Sequence, residues 1–161
     1  MPARSRLLAL LLPLPVAAAI ACGSSDGSTG LGGGGSLVNG SFSAKIDGAT
    51  FTATAATVVS SSGIVSVGAG NASGRTLGFA WVDGGTGTYP VGSGNATVGT
   101  HTYQSHTWSA SAIQGSGTIT ITTKTATRVA GTFSFVLQPD AASGATGTRT
   151  ITNGVFDLTY P

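Results

Sequence analysis

The chain has 161 residues, of which 7% are charged and 40% hydrophobic, with 26 glycines and one cysteine, against roughly 25% charged residues in an ordinary soluble domain. A single thiol excludes an internal disulfide framework, a cysteine-based zinc site and an iron-sulfur cluster, and five aspartates with no glutamate leave paired-carboxylate chemistry little to draw on. The formal charge of +2 counts Arg4 and Arg6; without them Lys45, Arg75, Lys124, Arg128 and Arg149 balance the five aspartates and form no basic stripe, which argues against nucleic acid as a partner.

Two arginines precede the uncharged run LLALLLPLPVAAAIA, Leu7 to Ala21, which Pro13 and Pro15 interrupt. The run is too short for a spanning helix, which needs about 20 apolar residues. A basic start, a short apolar middle and small residues at the end predict an export signal over residues 1–21. Ala19-Ile-Ala-Cys22 resembles the lipobox of bacterial lipoproteins. That resemblance implies a diacylglyceryl group on the Cys22 thiol, cleavage before it and a membrane as partner through the lipid, since several acyl chains anchor stably. Gly23 after the cysteine resembles the sorting pattern for the outer membrane, with a periplasmic or surface-facing domain as alternatives. Residues 22–36, with GSSDGSTGLGGGGS after the cysteine, read as a flexible tether that lets a domain float roughly 20 Å from its anchor.

From residue 37 to 161 the signal is two-residue alternation. Phe42, Ala44 and Ile46 share a parity, Asp47-Gly48 follows as a type I′ turn dipeptide, and Phe51, Ala53 and Ala55 resume the pattern, which predicts a hairpin. Further strands are expected at Ile64 to Ala69, then Leu77, Phe79 and Trp81 up to the Asp83-Gly84-Gly85 turn, Tyr89 and Val91, Val98 to Tyr103, Trp108 to Ile113, Ile119 with Ile121, and Phe133, Phe135 with Leu137. Near Asn153-Gly154 the apolar parity flips from Ile151 to Phe156, Leu158 and Tyr160, which predicts a bulge. The whole reads as an all-β fold of about nine or ten short strands, an antiparallel sandwich or a closed up-and-down barrel.

The ordered set Phe42-Ser-Ala-Lys-Ile-Asp-Gly48 with Phe51-Thr-Ala53, Gly117-Thr-Ile-Thr-Ile-Thr122, Val129-Ala-Gly-Thr-Phe-Ser-Phe135 and Ile151-Thr-Asn-Gly-Val-Phe156 resembles a family of bacterial lipoproteins carrying a β-rich domain of unknown function. The resemblance implies fold, export and anchoring, and carries over no catalytic or binding residue. This chain is poorer in acids and lysine than the family pattern.

The richest polar-aromatic stretch is Gly99 to Trp108, with His101, Tyr103, His106 and Trp108 as candidate ligand-binding residues. The five-residue spacing puts the two histidines on opposite faces of a continuous strand, so they converge only if Gln104-Ser105 is a turn; the expectation is a solvated hairpin tip without a metal. A Ser-His-Asp hydrolase with Asp83 or Asp157 orienting a histidine is a weaker alternative, because no nucleophile elbow is present. Trp81 shares core parity with Leu77 and Phe79, whereas Trp108 is the aromatic expected to be exposed, as part of a sugar-stacking platform. The repeated threonines fit a solvent-facing strand surface without charge. The expected function is a non-catalytic binding or structural module of the cell envelope without a cofactor; the alternatives are a barrel for a small apolar ligand, a glycan-binding surface module and a hydrolase.

Overall fold

The structure, a computed structural model, describes residues 40–160. The export signal over 1–21, the Cys22 lipidation site, the tether over 22–36, residues 37–39 and Pro161 lie outside the described residues.

Among the described residues eleven strands make up the fold: β1 Gly40–Ile46, β2 Ala49–Thr52, β3 Ala55–Ser61, β4 Ile64–Gly70, β5 Thr76–Val82, β6 Gly87–Val91, β7 Val98–Tyr103, β8 His106–Ala110, β9 Ser116–Lys124, β10 Arg128–Pro139 and β11 Arg149–Thr159. All pairs are antiparallel, and the sheet curls into a half-barrel. One half runs β2-β1-β11-β10-β9-β6 and the other β3-β4-β5-β7-β8. The twelve-residue β10 joins them: Val129 to Val136 pair with β9, while Gln138 and Pro139 pair with Ser109 and Trp108 of β8. The all-β antiparallel fold agrees with the alternation, and the strand number is slightly higher than expected.

Alternation decides which side chains enter the core. Phe42, Phe51, Phe79, Trp81, Phe133, Phe135 and Phe156 are all buried, and Phe79 of one half lies 4.9 to 6.1 Å from the rings of Phe42, Trp81, Phe133, Phe135 and Phe156. Burying such side chains stabilises by about 1.5–3 kcal/mol each, so this cluster welds the two halves. These rings occupy the space between the halves where a small apolar ligand would sit in an open barrel.

The turn chemistry also agrees with the sequence. Asp47 and Gly48 take φ of 50° and 83°, the two positive values that a type I′ turn needs. In β11 the pairing with both neighbours slips between Ile151 and Val155, with Asn153 at φ 51°. This bulge moves Phe156 and Leu158 onto the buried side that Ile151 occupies before it. A Cβ at Gly154 would meet the Phe133 carbonyl oxygen at 2.5 Å, so the bulge needs glycine there.

Three expectations are corrected. Alternation does not continue from Ala53 to Ala55: the chain crosses between the halves at Ala53–Thr54, and β3 buries Ala56 and Val58 instead. The strand from Trp108 stops at Ala110, and Ile113 is exposed in a turn closed by the Ser111–Gln114 bridge. Not every element is a strand, because Ala141–Ser143 form one turn of 3₁₀ helix, capped by the Asp140 carboxylate on the Ala142 N–H.

Candidate functional site

Gln104 and Ser105, at φ 50° and 65°, form a tight turn between β7 and β8. The turn sets His101 opposite Trp108 and Tyr103 opposite His106. Side chains directly across an antiparallel pair lie on one face, so the four residues singled out from the sequence stand together on the inner face of one hairpin. The His101 and Trp108 rings stack at 5.5 Å, and His106 lies 6.2 Å from Trp108 on its other neighbour.

The loop between β10 and β11 covers this hairpin. His106 Nδ1 lies 2.9 Å from the Ser143 carbonyl oxygen, the Ser143 hydroxyl accepts the Thr107 N–H, and the Trp108 indole N–H donates to the Gly147 carbonyl at 2.9 Å. Trp108 is therefore 3% exposed, which overturns the expectation of an exposed stacking platform. His101 is equally buried and so does not stand at a solvated tip, whereas His106 is half-buried beside the exposed Gln104-Ser105 turn. Parity alone places Trp108 with Ala110 on the inner face, and the covering loop seals it.

Two arginines reach the same end of the half-barrel. Asn71 closes the β4–β5 loop: its side-chain oxygen accepts the Ser73 and Arg75 N–H groups at 3.1 Å each, and Gly74 takes φ 71°. This loop sets Arg75 with its guanidinium carbon 4.9 Å from the centre of the Tyr103 ring. Arg149, the first residue of β11, lies 4.6 Å from the centre of the Trp108 ring and donates to Asp47 at 2.8 Å. The other Asp47 oxygen accepts the Thr150 N–H at 2.8 Å. Arginine suits such stacked positions because its planar, weakly hydrated guanidinium can lie on a ring and still donate in plane.

Together these residues line a cleft of about 210 Å³ bounded by Ile46, Asp47, Ala49, Arg75, His101, Tyr103, Trp108 and Arg149. Three of the four residues chosen from sequence line it; His106 does not, because it turns to Ser143. Depressions of about 390–450 Å³ on the outer faces have no charged side chain in their lining. Among the cations of the described residues, Lys124 pairs with Asp83, Arg128 with Asp157 and Arg149 with Asp47. The Arg75 guanidinium contacts the Tyr103 face and has no ion pair or hydrogen bond of its own among the described residues.

The electrostatics follow from this packing. Burial holds the His101 imidazole below its ordinary value, and the neighbouring Arg149 and Arg75 charges add to that, against the opposing Thr76 hydrogen bond and Asp47 charge. Neutral His101 donates from Nδ1 to the Thr76 carbonyl at 2.8 Å, which leaves Nε2 as an acceptor. Burial pushes the Asp47 carboxyl up, but the Thr150 N–H and Arg149 outweigh it and the net shift is downward.

Asp83 and Asp157, the acids considered for a hydrolase, each bind a cation instead, and among the described residues neither histidine is hydrogen-bonded to a carboxylate. No group of three or more His, Cys, Asp or Glu stands together among them. Sequence reasoning missed Arg75, Arg149 and Asp47 as site residues. The available signal was that Asp47, Arg75 and Arg149 each flank a turn or loop, but which loops share an end depends on strand order.

No curated protein and no solved structure matches the chain. Residues 38–158 match the family described as a domain of unknown function (DUF6252), and the chain belongs to that family.

Proposed function

We propose that this chain is an exported, lipid-anchored β-domain of the bacterial outer envelope and acts as a non-catalytic binding module, with the Arg75–Arg149 cleft as its site. The observation that carries the reading is the Arg75 guanidinium: it lines a concave cleft with an aromatic wall and has no acceptor among the described residues, while the cations at the opposite end are paired. Ligand sites combine an apolar wall with a few placed polar groups, and this cleft has that make-up. The non-catalytic reading rests on the occupied groups. Both Asp47 oxygens and one nitrogen of each histidine are engaged by neighbours, and among the described residues no nucleophile is hydrogen-bonded to a base within the cleft. Anchoring rests on the basic start, the apolar run and the Ala19-Ile-Ala-Cys22 sequence.

Two measurements test this. Labelled fatty acid should enter the wild-type chain and not Cys22→Ser; incorporation that survives the substitution overturns the anchor. Amide and indole N–H spectra of the full chain, recorded with and without a small-molecule extract of its own cell envelope, should change at Trp108 and at Arg75. Unchanged signals there overturn the binding role.

A further inference from the structure

The chemistry of the cleft narrows what it holds, on the reading that it is a binding site. Among the described residues it has hydrogen-bond donors to offer, and both oxygens of its one carboxylate are already engaged. One Asp47 oxygen is held by Arg149 and the other by the Thr150 N–H, whereas the Arg75 guanidinium and the remaining Arg149 N–H groups have no acceptor among the described residues. A guanidinium has five N–H donors in a fork that fits a carboxylate bidentately. The matching ligand therefore brings acceptor oxygens.

Charge selects among such ligands. Arg75 and Arg149 against Asp47, with neutral His101, leave one net positive charge at the cleft. A monoanion neutralises it, whereas a dianion such as a phosphate monoester leaves an excess negative charge close to Asp47. Like charges placed that closely repel strongly in a partly desolvated site.

Size and wall complete the description. At about 210 Å³ the cleft lies below the roughly 300–1,000 Å³ of sites for drug-sized molecules, which suits a single ring. Ala49 and Tyr103 supply apolar wall beside the guanidiniums, with the buried Trp108 beneath Arg149. A flat body packs against such a wall, and its charged substituent faces the forks.

We propose that the cleft binds a single-ring monocarboxylate, with the carboxylate on Arg75 and the ring against the wall that Tyr103 helps to form. The shared chemistry covers an aromatic acid and an acidic sugar, free or at the end of a glycan.

The test follows the Trp108 indole N–H and the Arg75 and Arg149 side-chain N–H signals of the full chain in detergent. It titrates benzoate, glucuronate, methyl glucoside and inorganic phosphate separately. At least one of the two carboxylates shifts these signals saturably, and benzoate alone identifies an aromatic acid while glucuronate alone identifies an acidic sugar. Arg75→Gln weakens the effective carboxylate at least tenfold, and Arg75→Lys recovers only part of that, because a point charge lacks the fork. Raising ionic strength weakens binding in the wild type more than in Arg75→Gln. Phosphate shifting the cleft when neither carboxylate does overturns the ligand class and keeps the binding site. Methyl glucoside binding as well as glucuronate, with no effect of Arg75→Gln, overturns the anion preference in the same way. If none of the four moves the cleft signals, the monocarboxylate proposal falls; the envelope-extract experiment then decides the binding role separately.

Discussion

The two ends of the half-barrel draw on the same sparse supply of charge and use it in opposite ways. At the end that carries Asp83 and Tyr160, Lys124 donates to Asp83 at 2.8 Å and lies 5.3 Å from the Tyr160 ring, and Arg128 holds both Asp157 oxygens. Hydrogen bonding to Lys124 lowers the Asp83 carboxyl and raises the lysine, and Arg128 lowers Asp157. That end is closed and neutral. At the other end Arg149 alone holds the Asp47 carboxylate and lies over the Trp108 ring, while Arg75 lies over the Tyr103 ring and has no acceptor among the described residues. In a chain with 7% charged residues, an unmatched, partly buried cation is the feature that separates a candidate site from a structural ion pair.

The largest break in this contrast comes from removing the cleft floor. Trp108 carries the Arg149 guanidinium, stacks on His101 and donates to the covering loop. Trp108→Ala is expected to destabilise the fold by about 3–5 kcal/mol, the range for a buried large aromatic, read from urea unfolding midpoints at constant slope. A cost near that of a surface substitution would show that the loop does not depend on the indole.

Acid separates the ends by pH window. His101 is held below its ordinary 6.5, so as pH falls through 6.5 the unfolded chain takes up a proton that the folded chain resists. Stability declines from there until His101 itself is protonated. Asp83, Asp157 and Asp47 are held below 3.8, so their contribution is complete above that value and is lost as pH falls through their folded values. Urea midpoints measured from pH 8 to 3 should show a first decline that His101→Gln removes and a second, lower one that it leaves in place. A flat profile between neutrality and the carboxylate range would contradict the burial of a neutral imidazole.

The smallest effects sharpen the comparison most directly. Asp83→Asn, which weakens a partly buried pair, is expected to cost about 1 kcal/mol or less, whereas Arg75→Gln should stay within about 0.5 kcal/mol because among the described residues its guanidinium has only the Tyr103 ring contact to lose and no ion pair. The same Arg75→Gln change should raise the titration midpoint of His101, which the Arg75 charge lowers; histidine ring signals followed by NMR against pH measure it. A destabilisation by Arg75→Gln equal to that of Asp83→Asn would make Arg75 a structural residue like Lys124.

Much of the fold was legible because its causes are local. Alternation placed Phe42, Phe79, Trp81, Phe133 and Phe135 in the core, Asp47-Gly48 announced its turn, and the parity change after Ile151 located the bulge. Local rules failed where another segment intervened. Ala53 and Ala55 keep one parity in the sequence, but the chain changes halves between them. The neighbours of Trp108 in the chain leave it open to a ligand, and the loop over residues 140–148 covers it.

The sequence by itself determined the alternation of most strands and the condition, a turn at Gln104-Ser105, under which one hairpin gathers His101, Tyr103, His106 and Trp108, since periodicity and turn dihedrals involve neighbours in the chain. It did not determine that Asp47, Arg75 and Arg149 would meet above that hairpin. Arg149 and Asp47 stand 102 residues apart, and only the closing of β10 onto β8 and the strand order of both halves carry their loops to one end. Charge acts through space, so the character of the cleft was set when the sheet curled.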